Sequence, residues 1–168
     1  LDLSNNIKLR EIQADQNEIV TFDVSHLTNL EKITIENNNL TSLNVANGNN
    51  TNFDWHYFSG NPDLACIQVD DVTYSETNWS DDIDPGANFS TDCNIVEFPD
   101  ANFEAALVAN GNINTDGDSF IQVAEANAFT VPMDVRSSDI SELSRIESCA
   151  DISKLWWTAD IITSLALS

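Results

Sequence analysis

The stretch "NTDGDSFIQVAE" sets oxygen-bearing side chains at regular intervals: Asn114, Asp116 and Asp118, then Gln122 and Glu125. Counting Asn114 as the first of twelve positions, these stand at 1, 3, 5, 9 and 12, with the Phe120 carbonyl at 7. Hard oxygen donors at that spacing can wrap a calcium ion, and the closing glutamate can grip it through both oxygens. Two departures reduce the expected affinity. Asn114 brings no charge to the first position, and Ser119 occupies the sixth, where the sharp turn favours glycine. The alternative for residues 114–125 is a metal-free acidic turn. Other chemistry is scarce. His26 and His56 are the two histidines, and neither has a serine or cysteine nucleophile at a useful spacing. The carboxylate pairs Asp70 with Asp71 and Asp81 with Asp82 are adjacent in sequence, and adjacent loop carboxylates point apart rather than converging as acid and base. No catalytic residue is expected, and the chain reads as a non-enzyme.

The twelve-residue pattern resembles an EF-hand loop, so the resemblance implies Asn114, Asp116, Asp118, Phe120, Gln122 and Glu125 as metal ligands and calcium as the cofactor. Just before it, "FPDANFEAALVANG" offers Asp100 as a helix N-cap, Phe103, Ala106 and Leu107 on one helical face, and Gly111 as a stop. A short helix is expected there.

Charge narrows the partners. Twenty-eight acidic against six basic residues in 168 give a net charge of −22, which repels nucleic acid and anionic membranes. With 42% hydrophobic residues there is enough apolar side chain for a core. No apolar run is long enough for a membrane span.

A repeat organises the first third. "LREIQADQNEIVTFDVS" (9–25) and "LEKITIENNNLTSLNVA" (30–46) agree at a shift of 21 residues, pairing Leu9 with Leu30, Ile12 with Ile33, Asn17 with Asn38, Ile19 with Leu40 and Phe22 with Leu43. The opening "LDLS" matches the second half of such a unit, so the chain is expected to begin inside a repeat. A degenerate third copy runs through Phe53, His56, Phe58 and Asn61 before Pro62 breaks the pattern. The phase returns late in the chain at Ile152, Leu155, Trp157, Asp160, Ile162, Leu165 and Leu167.

The spacing L-x-x-L-x-L-x-x-N-x-L resembles that of leucine-rich repeats, and the 21-residue period lies within that family's range. The resemblance implies a repeat solenoid: β-rich leucine-rich repeat horseshoe segments, a disulfide-closed C-terminal cap, and a small helical N-terminal cap of a second stack. The boundaries that follow are 1–63 for the last repeats of a first stack and 64–94 for its cap. Residues 95–151 form the second cap, with the EF-hand-like loop, and 152–168 the first repeat of the second stack. In such repeats the asparagine at Asn17 and Asn38 hydrogen-bonds backbone groups at the turn out of the strand.

Cys66, Cys93 and Cys149 are too far apart for a paired metal-ligand pattern, leaving free thiols or one disulfide with a leftover. Cys66 and Cys93 bracket the expected cap, which is similar to the caps of secreted bacterial leucine-rich repeat proteins. A bridge there closes a loop of about 28 residues and contributes roughly 3 to 4 kcal/mol in the chain-entropy picture. Two free thiols in a reducing compartment are the alternative. Cys149 is expected to be buried and inert.

The resemblance also implies a concave face presenting Glu11, Gln13 and Asp15, then Lys32, Thr34 and Glu36, then Trp55 and Tyr57, with Trp156 in the second stack. Exposed aromatics bury much area with few rotors and also stack on sugars. The expectation is a non-enzymatic recognition or adhesion segment of a larger exported bacterial surface protein. It would bind protein or glycan, in the manner of internalin-like adhesins, some exported by the type IX pathway. The other readings are a cation-stabilised stalk without a ligand, and an accessory module of an enzyme encoded elsewhere.

Overall fold

The computed structural model describes residues 2–158 and 160–162, which fall into two compact units, 1–93 and 94–168. In the first, strands β1 (Glu11–Gln13), β3 (Lys32–Thr34) and β5 (Trp55–Tyr57) form one parallel sheet in the order β1-β3-β5. Strands β2 (Thr21–Asp23), β4 (Ser42–Asn44), β6 (Cys66–Gln68) and β7 (Asn88–Ser90) form a second parallel sheet in that order. Helix α1 (Val72–Trp79) lies between β6 and β7 in sequence.

The 21-residue self-similarity sets the register: Glu11 faces Lys32, Ile12 faces Ile33, and Phe22 faces Leu43. In β1 and β2 the central side chain turns inward and the flanking polar ones outward, as the period of two requires. Ile33, Leu43 and Ile67 are buried to 1% exposure or less. Trp79 of α1 ends this core. It is fully buried, with the rings of Phe53, His56, Phe58, Tyr74 and Phe89 all between 4.9 and 6.1 Å from its own. The same unit carries the disulfide Cys66–Cys93.

Turns out of the first sheet need a left-handed residue, supplied by Gln16 (φ 57°), Asn37 (φ 55°) and Gly60 (φ 75°). At Gly60 the requirement is strict, since a Cβ there would lie 2.6 Å from Asn37 Oδ1 and 2.9 Å from Asn37 N. Beside these turns stands the asparagine ladder. Asn38 accepts the Ile19 N–H and donates to the Ala14, Ile35 and Glu36 carbonyls. Asn61 accepts the Leu40 N–H and donates to Ile35 and Phe58. Both are buried, so each amide satisfies backbone groups that water cannot reach.

The second unit holds α2 (Ala101–Val108), α3 (Val123–Ala128) and a two-stranded parallel sheet of β8 (Met133–Asp134) and β9 (Leu155–Trp156). Asp100 caps α2 through the Asn102 and Phe103 N–H groups. Phe103 and Leu107 point into a core shared with Ile113, Ile121, Phe129, Met133 and Ile140.

These sheets correct the expected architecture. The described residues form an α/β arrangement of three short parallel sheets and three helices, not the β-rich horseshoe solenoid implied by the repeat spacing. The physical reason lies in the second half of each 21-residue unit. Phe22 and Leu43 are as buried as the residues of the first sheet, so these segments pair as strands of their own instead of serving as irregular returns. The segment expected only to cap a stack continues that second sheet, with Ile67 opposite Leu43 and Phe89 opposite Ile67. In the second unit the described residues form one pair of two-residue strands. The expected repeat positions Leu165 and Leu167, like Leu1, lie outside the described residues.

Candidate functional site

The outward side chains of the three-stranded sheet form one array. Register places Glu11, Lys32 and Trp55 in a row across β1, β3 and β5, and Gln13, Thr34 and Tyr57 in the next. Trp55 and Tyr57 are 48% and 41% exposed. The Lys32 ammonium lies 4.6 Å from the centre of the Trp55 ring and 3.9 Å from the Glu11 carboxylate. Gln13 donates to Glu11.

Three of the expected face residues are engaged in holding the sheet. Asp15 accepts the Thr34 hydroxyl and the Glu36 N–H, at 2.7 and 2.8 Å, and Thr34 is buried. Glu36 accepts the Ser59 hydroxyl. Glu11, Lys32, Trp55 and Tyr57 are therefore the part of the array that can meet a ligand without disturbing the backbone.

Trp156 lies in the second unit, at the end of β9, and is 42% exposed. The Arg136 guanidinium sits 5.6 Å from its ring centre and forms a two-pronged pair with Asp134. Acid, cation and tryptophan thus recur together, with Asp134 facing Trp156 in the β8–β9 register.

In the acidic loop the donors turn toward the backbone. Asn114 Oδ1 accepts the Gly117 N–H, and its amide nitrogen donates to the Val108 and Asp118 carbonyls. Asp116 accepts from Asp118 N, and Asp118 from Phe120 N and the Gln122 amide. Glu125 Oε1 accepts the Thr115 N–H and hydroxyl and the Asp116 N–H, while Oε2 accepts the Gln122 N–H in a capping box for α3. Burial, helped by the nearby Asp118 and Glu125 carboxylates, raises the Asp116 carboxyl above its ordinary range. Gly117, not residue 119, takes the left-handed turn, at φ 76°. Among the described residues no three histidine, cysteine or acidic side chains are grouped to hold a metal. As folded, the closing glutamate is committed to four hydrogen bonds within the loop, which a cation would have to replace.

Other acidic residues have structural partners that sequence reasoning missed. Asp70 accepts from Gly48 and Asn50 N–H, Asp71 caps α1 through Tyr74 N–H, and Asp84 accepts from Gly60 and Asn61 N–H. Asp70 and Asp84 lie about one repeat from their donors, a signal readable in principle from the period, whereas Asp71 caps its own helix three residues on. His56 is half-buried against Trp79 with Nδ1 3.1 Å from Asp82, and His26 Nε2 lies 3.0 Å from the Leu3 carbonyl. Cys149 is buried, which pushes its thiol up to about 11. That value keeps it protonated and unreactive at neutral pH.

No known protein family, curated protein or solved structure matches the chain. The disulfide is consistent with an oxidising environment. Among the described residues no helix is long and apolar enough to cross a membrane.

Proposed function

We propose that this chain is a non-enzymatic recognition segment of an exported bacterial surface protein, and that it binds a protein or glycan ligand through the outward face of the β1-β3-β5 sheet. The observation that carries this reading is the exposure of Trp55 and Tyr57 on one short strand, beside Lys32 and Glu11. Large aromatics held open to solvent on a hydrogen-bonded scaffold lose little rotamer freedom when covered. The disulfide supports the exported setting, since such bonds persist outside reducing compartments. The histidines support a non-catalytic reading, His56 lying against Asp82 and Trp79 and His26 against the Leu3 carbonyl.

The test is binding of the chain and of its Trp55→Ala, Tyr57→Ala double variant to an array of soluble glycans and extracellular proteins. A ligand whose affinity falls by about 2 kcal/mol or more in the variant supports the face as the site. Unchanged affinity moves the site elsewhere, and an absence of ligands leaves a spacer as the better description.

A further inference from the structure

We infer that the ligand site on this face is built for a cation, and that Lys32 occupies the ligand's place in the free protein. This inference rests on the recognition reading above and names the class of partner: an extended polypeptide segment rich in arginine or lysine. The geometry is that of a bound cation. The Lys32 ammonium sits over the Trp55 ring at 4.6 Å and beside Glu11 at 3.9 Å, one neighbour supplying the negative face of a π system and the other a full charge. The three residues come from three adjacent strands in register, so the cradle is fixed by the sheet and does not depend on a loop.

The second unit repeats the arrangement independently. Arg136 pairs with Asp134 through two nitrogens and lies over the exposed Trp156 ring. In both places a tryptophan with a carboxylate nearby holds a basic side chain.

Charge complementarity selects the partner. The chain carries −22, so a basic segment is drawn to it from a distance while an acidic one is repelled. A neutral sugar gains nothing from that field and meets a ring whose one face Lys32 already covers. An incoming arginine, by contrast, exchanges with Lys32 like for like, and its planar guanidinium stacks on the ring more favourably than an ammonium.

Displacement makes the inference testable in an unusual direction, because removing a basic residue from the face should strengthen binding. The probes are a synthetic peptide alternating arginine with glycine and serine, the same peptide with glutamate for arginine, and cellohexaose. Titrations use the whole chain. Trp55→Ala leaves net charge unchanged and should weaken the arginine peptide about tenfold. Lys32→Met should tighten it about threefold or more, by vacating the ring and freeing Glu11. Lys8→Met makes the same charge change at an exposed position and should leave affinity nearly as in the parent. Weaker binding in Lys32→Met, or a gain no larger than that of Lys8→Met, overturns the cation site. If cellohexaose then binds and depends on Trp55, the recognition face stands and only the partner class falls. If no probe depends on Trp55, both fall.

Discussion

Asp100 Oδ2 accepts both the backbone N–H and the hydroxyl of Ser141, at 2.8 and 2.5 Å, joining residues 41 apart in sequence. Its other oxygen caps α2, so one carboxylate fixes the start of a helix against a distant turn. Burial opposes ionisation here, yet the Ser141 hydroxyl and N–H, with the Phe103 and Glu142 N–H groups, outweigh it and lower the carboxyl to about 2.

A carboxyl lowered on folding stabilises the fold above its unfolded value, near 4, and that contribution disappears as pH falls toward 2. Asp100→Asn should therefore lose about 2 kcal/mol at neutral pH and show a flatter decline between about pH 4 and 2. Urea unfolding of both proteins across that range measures it. Parallel curves would mean that Asp100 is not ionised against these donors.

The asparagine ladder should be graded by depth. Asn61 is fully buried and Asn38 nearly so, whereas Asn17 is exposed and donates to Ala14 and Asp15 at the outer edge. Truncating a buried amide strands both an N–H and two or more carbonyls, a loss of about 2 to 3 kcal/mol, while water can replace an exposed one at well under 1 kcal/mol. Alanine at 61, 38 and 17 should thus lower the unfolding midpoint in that descending order. Equal losses would show that the amides act through turn propensity and not through burial.

The legible part of this molecule is the part with a long period. Leu30 and Leu9, or Ile33 and Ile12, announced their shared environment by spacing, and the register of β1 with β3 follows it. The second sheet was hidden because a three-residue strand with one inward side chain, such as Phe22 or Leu43, leaves the same trace as an extended return. Helix α1 was hidden for a related reason. Its eight residues, "VTYSETNW", bury Ser75 and Trp79 with little apolar periodicity, so only the capping Asp71 marked it. At the candidate site, the repeat spacing placed Trp55 and Tyr57 between core positions and so facing outward. The role of Asp15 as a staple for Thr34 and Glu36 depends on a neighbour 19 to 21 residues away and could not be read locally.

Glu125 provides a test of what closes the acidic loop. Its four hydrogen bonds to Thr115, Asp116 and Gln122 are charge-assisted, and a glutamine would present an amide hydrogen to donors that need an acceptor. Glu125→Gln should cost about 1 to 2 kcal/mol, by an equal amount in calcium and in chelator. Differential scanning calorimetry in the two buffers decides between the readings of this segment. A penalty seen only with calcium present would put an ion in the loop and require Glu125 to exchange its backbone partners for it.

The cysteines should separate cleanly by reagent. Cys66 and Cys93 are joined and Cys149 is buried with its thiol raised to about 11. Iodoacetamide should label no cysteine in the native, oxidised protein and only Cys149 after unfolding without reductant. Reduction should then destabilise the first unit by roughly 2 to 4 kcal/mol, because the bridge restrains a long loop in the unfolded chain. Rapid native labelling of Cys149 would contradict its burial.

Asp160 stands where the repeat spacing aligns it with Asn17, and its chemistry is mismatched to the slot. Oδ1 accepts the Ser138 and Ile140 N–H groups, at 3.0 and 3.4 Å, as an asparagine oxygen would. Oδ2 is buried and has no hydrogen-bond partner among the described residues. At Asn61 the equivalent atom is a nitrogen that donates to the Phe58 and Ile35 carbonyls, at 2.7 and 3.1 Å. A carboxylate has no hydrogen to give, so the buried oxygen is desolvated without compensation. Asp160→Asn keeps the two accepted bonds, removes a buried charge and offers two donors to whatever carbonyls line the turn. It should raise stability by about 1 kcal/mol or more, a gain that few substitutions at a buried polar position give. Thermal unfolding of the variant beside Asn61→Asp, which should lose stability by making the reverse exchange, measures both arms. If Asp160→Asn destabilises the protein, Oδ2 has a donor in solution and the slot prefers the acid.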